Sequence, residues 1–178
     1  MSYLAHHGVK GQRWGVRNGP PYPLDRFTKG TESEMNDIYS TLSKKEKTFL
    51  MDNDNPPKKF INKGEEKYLV ESVMLKHKNV PVSSITIWNN EDFYTIAAMT
   101  RNDPKYRGKN YAYKTAKQAL DKVAKKNTND IPIYWDVWSE NTPSIKTAEK
   151  LGLEFNEVTE KHDNGEWLQY KYSSKKRS

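Results

Sequence analysis

The sequence predicts a mixed α/β (α+β) domain built around a mostly antiparallel sheet. Within residues 66–101, three segments rich in β-branched and aromatic residues follow one another through short connections, which is the pattern of an antiparallel meander. A helical segment of about fifteen residues then separates the third segment from a fourth, and this spacing indicates a right-handed crossover between parallel strands. Two further segments joined by a tight turn complete the predicted sheet.

The composition is that of a compact domain with polar ends. The chain has 178 residues, a net charge of +7, 34% hydrophobic residues and 12% aromatic residues, which is too aromatic for a wholly disordered chain. No stretch approaches ~18 uninterrupted apolar residues, which excludes a membrane-spanning helix. The absence of Cys excludes disulfides, thiolate metal sites and a cysteine nucleophile. We expect a flexible arm at residues 1–24, one domain at 25–173 and a basic tail at 174–178.

Strands are expected wherever short β-branched or aromatic runs are bounded by turn residues. The expected ranges are 68–75, 81–88, 93–100, 131–138, 153–161 and 167–172. The tripeptide Asp163-Asn164-Gly165 between the last two is a hairpin signal, so these strands should pair with each other.

Helices are expected in three places. Residues 31–51 show helical spacing and contain a capping box from Ser43 to Glu46, which predicts two short helices before a proline-containing loop. The long helix after the basic loop 101–109 has an apolar stripe with lysines outside it. The stripe consists of Ala112, Ala116, Ala119, Leu120 and Val123. For a later short helix, Thr142 is placed to cap it, Pro143 to occupy its first position and Gly152 to end it.

The junction between the basic loop and the long helix is suited to bind an anion. The first N–H groups of a helix are unpaired, and the helix dipole favours negative charge there. Gly108 lets a phosphate approach the backbone closely, and Arg107 and Lys109 add positive charge. From these residues alone, the junction is either a diphosphate cradle or an ordinary basic turn.

A second short pattern follows the strand at 131–138. It consists of Glu140-Asn141, Ser144-Ile145 and Glu149-Lys150-Leu151-Gly152-Leu153. Taken alone, Asn141 would be a turn residue and Ser144 a surface residue in the first turn of a helix.

Together the two patterns resemble those of the GNAT superfamily, the acetyl-coenzyme A-dependent N-acyltransferases. The family's cofactor motif reads roughly Tyr-Arg-Gly-Lys-Gly-Tyr-Ala, and here it is Tyr106-Arg107-Gly108-Lys109-Asn110-Tyr111-Ala112. The family's later motif reads roughly Glu-Asn-x-x-Ser-Ile-x-x-x-Glu-Lys-Leu-Gly-Phe, and residues 140–153 follow it with Leu153 at the end. The resemblance covers about residues 66–172. It implies a central mixed, mostly antiparallel sheet with helices on both faces, and acetyl-CoA (coenzyme A) as cofactor.

The resemblance also implies roles for particular residues. Backbone groups of the cradle would bind the pyrophosphate, the end of the third strand would pair with the pantetheine arm where neighbouring strands splay, and residues of the later motif would line the cofactor's far side. A backbone N–H within residues 99–101 would polarise the thioester carbonyl. The implied cofactor-binding residues are Thr100, Arg101, Asn102, Arg107, Gly108, Lys109, Asn110, Tyr111, Ala112, Asn141 and Ser144.

The chain departs from the family's pattern at four points. Asn110 replaces a glycine or alanine of the cradle; it tolerates left-handed backbone, but its side chain crowds the phosphate. Lys105 stands where Gln or Arg is usual. Ala148 stands where many members place a Tyr that protonates the leaving thiolate. Only the neighbourhood of residues 24–27 is available for the family's first strand.

Acetyl transfer to an amine requires the neutral amine. A lysine ε-amine has a reference pKa of about 10.4, so a base or a desolvated pocket must remove its proton. The strand at 94–99 has no carboxylate, although some relatives use one there. The remaining candidate bases are Glu71, Asp136 and Glu140. We favour Glu140, acting through water, and Tyr134 or Tyr113 as an acid on the thiol side.

We therefore expect an N-acetyltransferase that moves an acetyl group from acetyl-CoA to a primary amine of a protein or small molecule, by direct transfer in a ternary complex. A protein N-terminus, a lysine, an aminoglycoside and a polyamine all remain open as acceptors. We expect no metal site, because His6 and His7 are adjacent and lack carboxylate or Cys partners at ligand spacing.

The alternative is a catalytically inactive phage protein of the same fold that contacts a capsid or nucleic acid. Residues 6–17 resemble a short tag of structural and accessory proteins from phages and prophages of Gram-positive bacteria, and the net charge favours anionic partners. A third possibility is an active enzyme that the arm directs to a phage structural protein. For the enzyme we expect no membrane or nucleic-acid partner, and a cytoplasmic location in a bacterial host or association with a virion.

Overall fold

The described residues form a seven-stranded mixed sheet with four α-helices. The structure is a computed structural model, and it describes residues 24–50, 60–61 and 63–173. The strands are β1 (Asp25–Thr28), β2 (Leu69–His77), β3 (Val80–Asn89), β4 (Tyr94–Thr100), β5 (Ile133–Trp138), β6 (Glu154–His162) and β7 (Gly165–Tyr172). The helices are α1 (Glu32–Ser40), α2 (Lys44–Thr48), α3 (Tyr111–Lys126) and α4 (Thr142–Lys150). The predicted tail and loop 52–59, and all of the predicted arm except Leu24, lie outside the described residues.

The sheet has the mostly antiparallel topology that the sequence predicts. Its strand order is β1-β2-β3-β4-β5-β7-β6, and every neighbouring pair is antiparallel except β4 and β5. The connection from β4 through α3 to β5 is the expected crossover, since parallel neighbours need a connection long enough to return the chain to the same end of the sheet.

Helices cover both faces of the sheet, which confirms the expected fold class. Strand residues alternate between faces, so Val73 packs towards α3 while the next residue, Met74, packs under α1. The larger core lies on the α3 and α4 face and includes Leu120, while Met35 lies in the smaller core under α1. α1 therefore lies across the sheet from α3, over its β3–β4 part, and α2 contacts the chain just after β4 through Glu46 and Asn102.

A short first strand, β1, forms where the sequence offered only a weak pattern. It pairs antiparallel with the edge of β2, and Phe27 remains 40% exposed. The strand is held by Asp25, which accepts a hydrogen bond from Lys114 at 2.5 Å and lies 2.8 Å from Nδ1 of His77. Burial alone would raise the pKa of Asp25, but the hydrogen bonds from Lys114 and His77 outweigh it and hold that pKa below its ordinary value of 3.8.

The Asp25 contacts predict a pH dependence of stability. A carboxyl group with a lowered folded pKa stabilises the fold above its unfolded pKa, and this contribution is lost as the pH falls through the folded pKa. We expect Asp25→Asn to lower the free energy of unfolding by roughly 1 kcal/mol at pH 7, since the group is only partly buried. In urea titrations, the difference in the free energy of unfolding between the variant and the parent should become smaller below pH 3.8. The same difference in the free energy of unfolding at pH 7 and at pH 3 would contradict this prediction. Asp163→Asn in the exposed β6–β7 turn is the matched control.

Local hydrogen bonds fix the helix ends, with one difference from the prediction. The capping box of α2 is confirmed: Glu46 N–H donates to Ser43 Oγ at 3.1 Å, and Ser43 N–H donates to the Glu46 carboxylate at 2.8 Å. The predicted cap of α4 was wrong by one residue. Asn141 is the N-cap, and its side-chain oxygen accepts the Ser144 N–H at 3.3 Å, so Pro143 is the second helical residue.

Candidate active site

The sheet opens between β4 and β5. These two strands pair only at Tyr94 with Ile133 and at Thr95 with Tyr134, near the start of each strand. Beyond these pairs β4 stays on β3 as far as Thr100, and β5 stays on β7 as far as Trp138. The result is a wedge-shaped gap between two intact halves of the sheet, and the GNAT resemblance implies a splay at this place.

Backbone groups of β4 line one edge of this gap. Arg101 N–H donates to Val82 O at 2.9 Å on β3, whereas Tyr94 N–H donates to Pro132 O at 2.8 Å on the β5 side. Because alternate residues of a strand turn their amides to opposite neighbours, Ala98 and Thr100 direct theirs towards the gap. Of the expected segment 99–101, only Thr100 therefore offers an N–H on this edge.

The side chains of Arg101 and Asn102 are held by hydrogen bonds to other parts of the protein. The Arg101 side chain is 9% exposed, donates to Pro81 O at 2.8 Å and pairs with Asp37 of α1. Asn102 donates its backbone N–H to Thr41 Oγ1 at 3.0 Å, and its side chain donates to Glu46 of α2. These contacts fix α1 and α2 against the end of β4, so both residues frame the site rather than present free groups to a ligand.

The predicted cradle carries a run of free amides. A 3-10 turn at Pro104–Tyr106 leads to Gly108 with φ 69°, and α3 begins at Tyr111. Within the described part of the chain, the N–H groups of residues 108–113 donate no hydrogen bond, whereas Lys114 N–H closes the first bond of the helix to Asn110 O at 3.0 Å. A Cβ placed on Gly108 would meet nothing within 4 Å, so there is open space beside this residue. This arrangement suits a diphosphate, which would accept several of these hydrogen bonds.

The side chains around the cradle differ in their availability. Lys109 is exposed. Arg107 is also exposed, and its guanidinium donates to Asn102 Oδ1 at 3.0 and 2.7 Å. Tyr111 is buried beneath the helix beside His77, and burial, with Asp25 and Tyr106 nearby, raises the pKa of Tyr111. Tyr111 therefore offers the ligand its backbone only.

Asn110, which stands where the family's motif has a glycine or alanine, adopts a left-handed backbone conformation. Its φ is 57°, its side chain is exposed, and it makes no side-chain capping bond to α3. Because it does not cap the helix, the amides of the first turn stay free.

The conformation of Asn110 makes a substitution test possible. We expect Asn110→Gly to keep the affinity for acetyl-CoA, and Asn110→Val to lower the free energy of unfolding by about 1–2 kcal/mol, because a β-branched residue is strained at positive φ. Urea unfolding and calorimetry on both variants measure these effects. Weaker binding by the glycine variant would show that the Asn110 side chain itself contacts the ligand.

The later motif lies on the other side of the gap, where α4 follows β5. Asn141 uses its side-chain oxygen to cap α4, accepting the Ser144 N–H. Both residues are half-buried at the start of the helix that follows β5.

The structure separates the candidate catalytic residues. Glu140 lies in the turn after β5 and pairs with Lys45 of α2 at 3.1 Å, with half of its side chain exposed. Tyr134 lies at the closed end of the gap with its ring against Phe93. Glu71 pairs with lysines of α3, away from the gap. Asp136 lies on β5 beyond the last β4–β5 pair and accepts a hydrogen bond from Gln169 at 3.2 Å.

Burial raises the pKa of Asp136, and the Gln169 hydrogen bond opposes this only in part. Tyr113, the alternative acid, has the Lys150 ammonium 4.5 Å from its ring centroid.

The described residues contain neither a cluster of metal ligands nor a membrane-spanning helix. In ranges 24–50, 60–61 and 63–173, no three His, Cys, Asp or Glu side chains are grouped to hold a metal ion. The helices of these ranges are too short or too polar to cross a membrane.

The opened β4–β5 pair, followed by a helix with free N-terminal amides, defines an acetyltransferase of the GNAT type. Residues 27–154 match the family model of the acetyltransferase (GNAT) domain, and the chain belongs to this family. The matched range extends the resemblance at its N-terminal side to include α1, α2 and part of β1. No curated protein sequence matches the chain.

Solved structures share this fold at low sequence identity. A GNAT-family acetyltransferase from Bacillus anthracis is 22% identical with a TM-score of 0.56, covering 84% of this chain and 93% of its own. Spermidine N-acetyltransferase from Vibrio cholerae, in complex with CoA and spermine, is 13% identical with a TM-score of 0.63 (84% and 95% covered). A putative acetyltransferase from Salmonella typhimurium with its cofactor acetyl-CoA is 11% identical with a TM-score of 0.60 (83% and 90%).

Proposed function

We propose that the protein transfers an acetyl group from acetyl-CoA to a primary amine of a protein or small molecule, directly and within a ternary complex. The observation that carries this proposal is the β4–β5 gap, which lies beside a helix start with free amides. Such a gap leaves the backbone groups of Ala98 and Thr100 without strand partners, so an extended ligand arm can pair with them. The family membership of residues 27–154 supports the same reaction class.

The chain's own groups would perform three tasks in this reaction. Amides of residues 108–113 and the Lys109 side chain would bind the diphosphate of acetyl-CoA. The N–H groups of Ala98 and Thr100 would orient the arm and polarise the thioester carbonyl. Asn141 and Ser144 would bound the cofactor's far side. Acetyl-CoA supplies the activated thioester.

The acceptor would approach from the α1 and α2 face of the sheet. α3 and α4 fill the opposite face with core residues such as Leu120 and Ala148, whereas Ala97 of β4 remains exposed beside the gap. The spermine in the Vibrio cholerae structure makes a polyamine one acceptor to test.

The lysines of α3 give little support to a nucleic-acid ligand. Along α3, Lys114 pairs with Asp25, Lys117 with Asp121, and Lys122 with Glu71. Binding to a nucleic acid requires lysines that are free to neutralise its phosphates, and these three are already paired with carboxylates. A phage structural partner for the arm and a cytoplasmic location remain predictions from the sequence.

The direct experiment is calorimetry with acetyl-CoA, followed by a thiol-release assay with a panel of amines. Spermidine, kanamycin, lysine and a peptide with a free N-terminal alanine represent the open acceptor classes. Because the chain contains no Cys, a thiol reagent detects only coenzyme A that the reaction releases. Binding with amine-dependent thiol release is the expected result, and absence of acetyl-CoA binding would overturn the proposal.

A further inference from the structure

Asp136 lies on the acceptor side of the sheet. Its strand neighbours Trp135 and Val137 are buried in the core with α3 and α4. Because strand residues alternate between faces, Asp136 points to the opposite face, where α1 lies over the neighbouring part of the sheet. The Asp136 carboxylate is half-buried on the side from which an acceptor would enter.

The strand register places Asp136 level with the open part of β4. The last β4–β5 pair joins Thr95 to Tyr134. Two residues further along each strand come Ala97 and Asp136, which therefore lie at the same height on the two edges of the gap and on the same face. Ala97 has a small exposed side chain, and the next residue, Ala98, turns its amide into the gap. A carboxylate, a carbonyl-polarising amide and free space thus come together.

The neighbours of Asp136 leave it free to accept a proton. From β7, Gln169 donates to it at 3.2 Å, and Gln169 in turn accepts a hydrogen bond from Asn156 of β6 at 2.9 Å. On the adjoining strands, Lys171 lies opposite Tyr134 and Glu157 lies opposite Gln169. Two further carboxylates of β6 are Glu154, opposite Lys171, and Glu160, opposite Trp167. From the helices and turns packed near the gap come Asp37, Glu46, and Lys45 paired with Glu140. In the described ranges Asp136 forms no ion pair.

We propose that Asp136 is the base that takes a proton from the acceptor's ammonium group, directly or through one water. This inference rests on the proposed function. The ammonium loses one proton to Asp136, and the amine lone pair then forms the N–C bond to the acetyl carbon as the C–S bond breaks. The second N–H proton goes to the departing thiolate, and Asp136 returns its proton to solvent. The products are the N-acetylamine, coenzyme A and one proton.

The proposal gives Glu140 a different role from the one that the sequence suggested. Its ion pair with Lys45 joins α2, which also holds Asn102 at the end of β4, to the turn after β5. Glu140 thereby positions the two edges of the gap, and half of its side chain faces solvent. The Glu140 carboxylate is already paired with an ammonium group, whereas the Asp136 carboxylate accepts a hydrogen bond from a neutral amide.

The test compares Asp136→Asn with Asp163→Asn, which makes the same chemical change in an exposed turn. With the best amine of the panel, we expect Asp136→Asn to lower kcat about 100-fold or more while the Kd for acetyl-CoA changes less than about twofold. Gln169→Leu removes the donor that lowers the Asp136 pKa, so the rise of kcat with pH should move to higher pH with kcat retained at the plateau. Asp163→Asn should match the parent.

Several outcomes would overturn the inference. Full activity of Asp136→Asn would overturn it. A 100-fold loss of kcat found only in Glu140→Gln would show that Glu140 is the base instead. If the parent binds acetyl-CoA but acetylates none of the four amines, the test is to measure the pKa of the Asp136 carboxyl group by carbon-13 NMR titration. A raised pKa that responds to added acetyl-CoA supports the inference, and an ordinary, unresponsive titration overturns it. Failure of the parent to bind acetyl-CoA would be a failure of the proposed function itself.

Discussion

Replacing Gly108 with Glu is expected to lower the affinity for acetyl-CoA at least about 100-fold, because it places a negative side chain among the free amides that we propose to bind the diphosphate. Gly108 has φ 69°, and a Cβ there would meet no protein atom within 4 Å. The new side chain would therefore occupy the open space in front of the cradle. Isothermal titration calorimetry with acetyl-CoA measures the effect.

Gly64→Glu is the matched control for this experiment. Gly64 also has positive φ, at 92°, and open space around its Cβ position, but it lies in the turn before β2. Both variants place a side chain at positive φ and make the same change in net charge, so a difference in acetyl-CoA affinity reports the position of the new charge. Equal affinities would show that the start of α3 does not hold the diphosphate.

Those parts of the fold that depend on local pattern could be predicted from the sequence. Strand β4 was expected at 93–100 and runs from Tyr94 to Thr100, and the α2 capping box was found from Ser43 and Glu46 alone. Strand β1 was harder to predict because it is short and its two faces are similarly exposed, so it lacks a two-residue alternation. Its position depends on Asp25 reaching His77 and Lys114, which are distant in sequence.

The same distinction between local features and long-range contacts applies to the candidate site. The cradle follows from Gly108 and a helix start, which are local features, and the structure shows free amides there. The roles of Arg101 and Glu140 could not be predicted in this way, because their partners Asp37 and Lys45 come from helices far earlier in the chain. Asp136 could be listed as a candidate base but not chosen, since the choice needs the register across a gap where the strands do not pair.

Gly165→Ala is expected to lower the free energy of unfolding by about 3 kcal/mol, which combines overpacking with backbone strain. Gly165 starts β7 with φ 154°, and a Cβ there would lie 2.5 Å from Cζ2 of Trp138 and 3.1 Å from Oγ of Ser139. The Trp138 ring cannot easily move aside, because it is 6% exposed and packs against Trp167 with ring centroids 5.3 Å apart. Urea unfolding measures the loss.

Gly152→Ala separates the two causes of this loss. Gly152 also has positive φ, at 82°, but a Cβ there meets nothing within 4 Å, so this change should cost only about 1 kcal/mol. In a Trp138→Leu background, Gly165→Ala should become less costly, because the clashing ring is gone. Equal losses at Gly152 and Gly165 would contradict the clash. Trp138 ends β5 directly before the Ser139–Glu140 turn, so the same packing holds the β5 edge of the gap in place and links the stability of the hairpin to the geometry of the site.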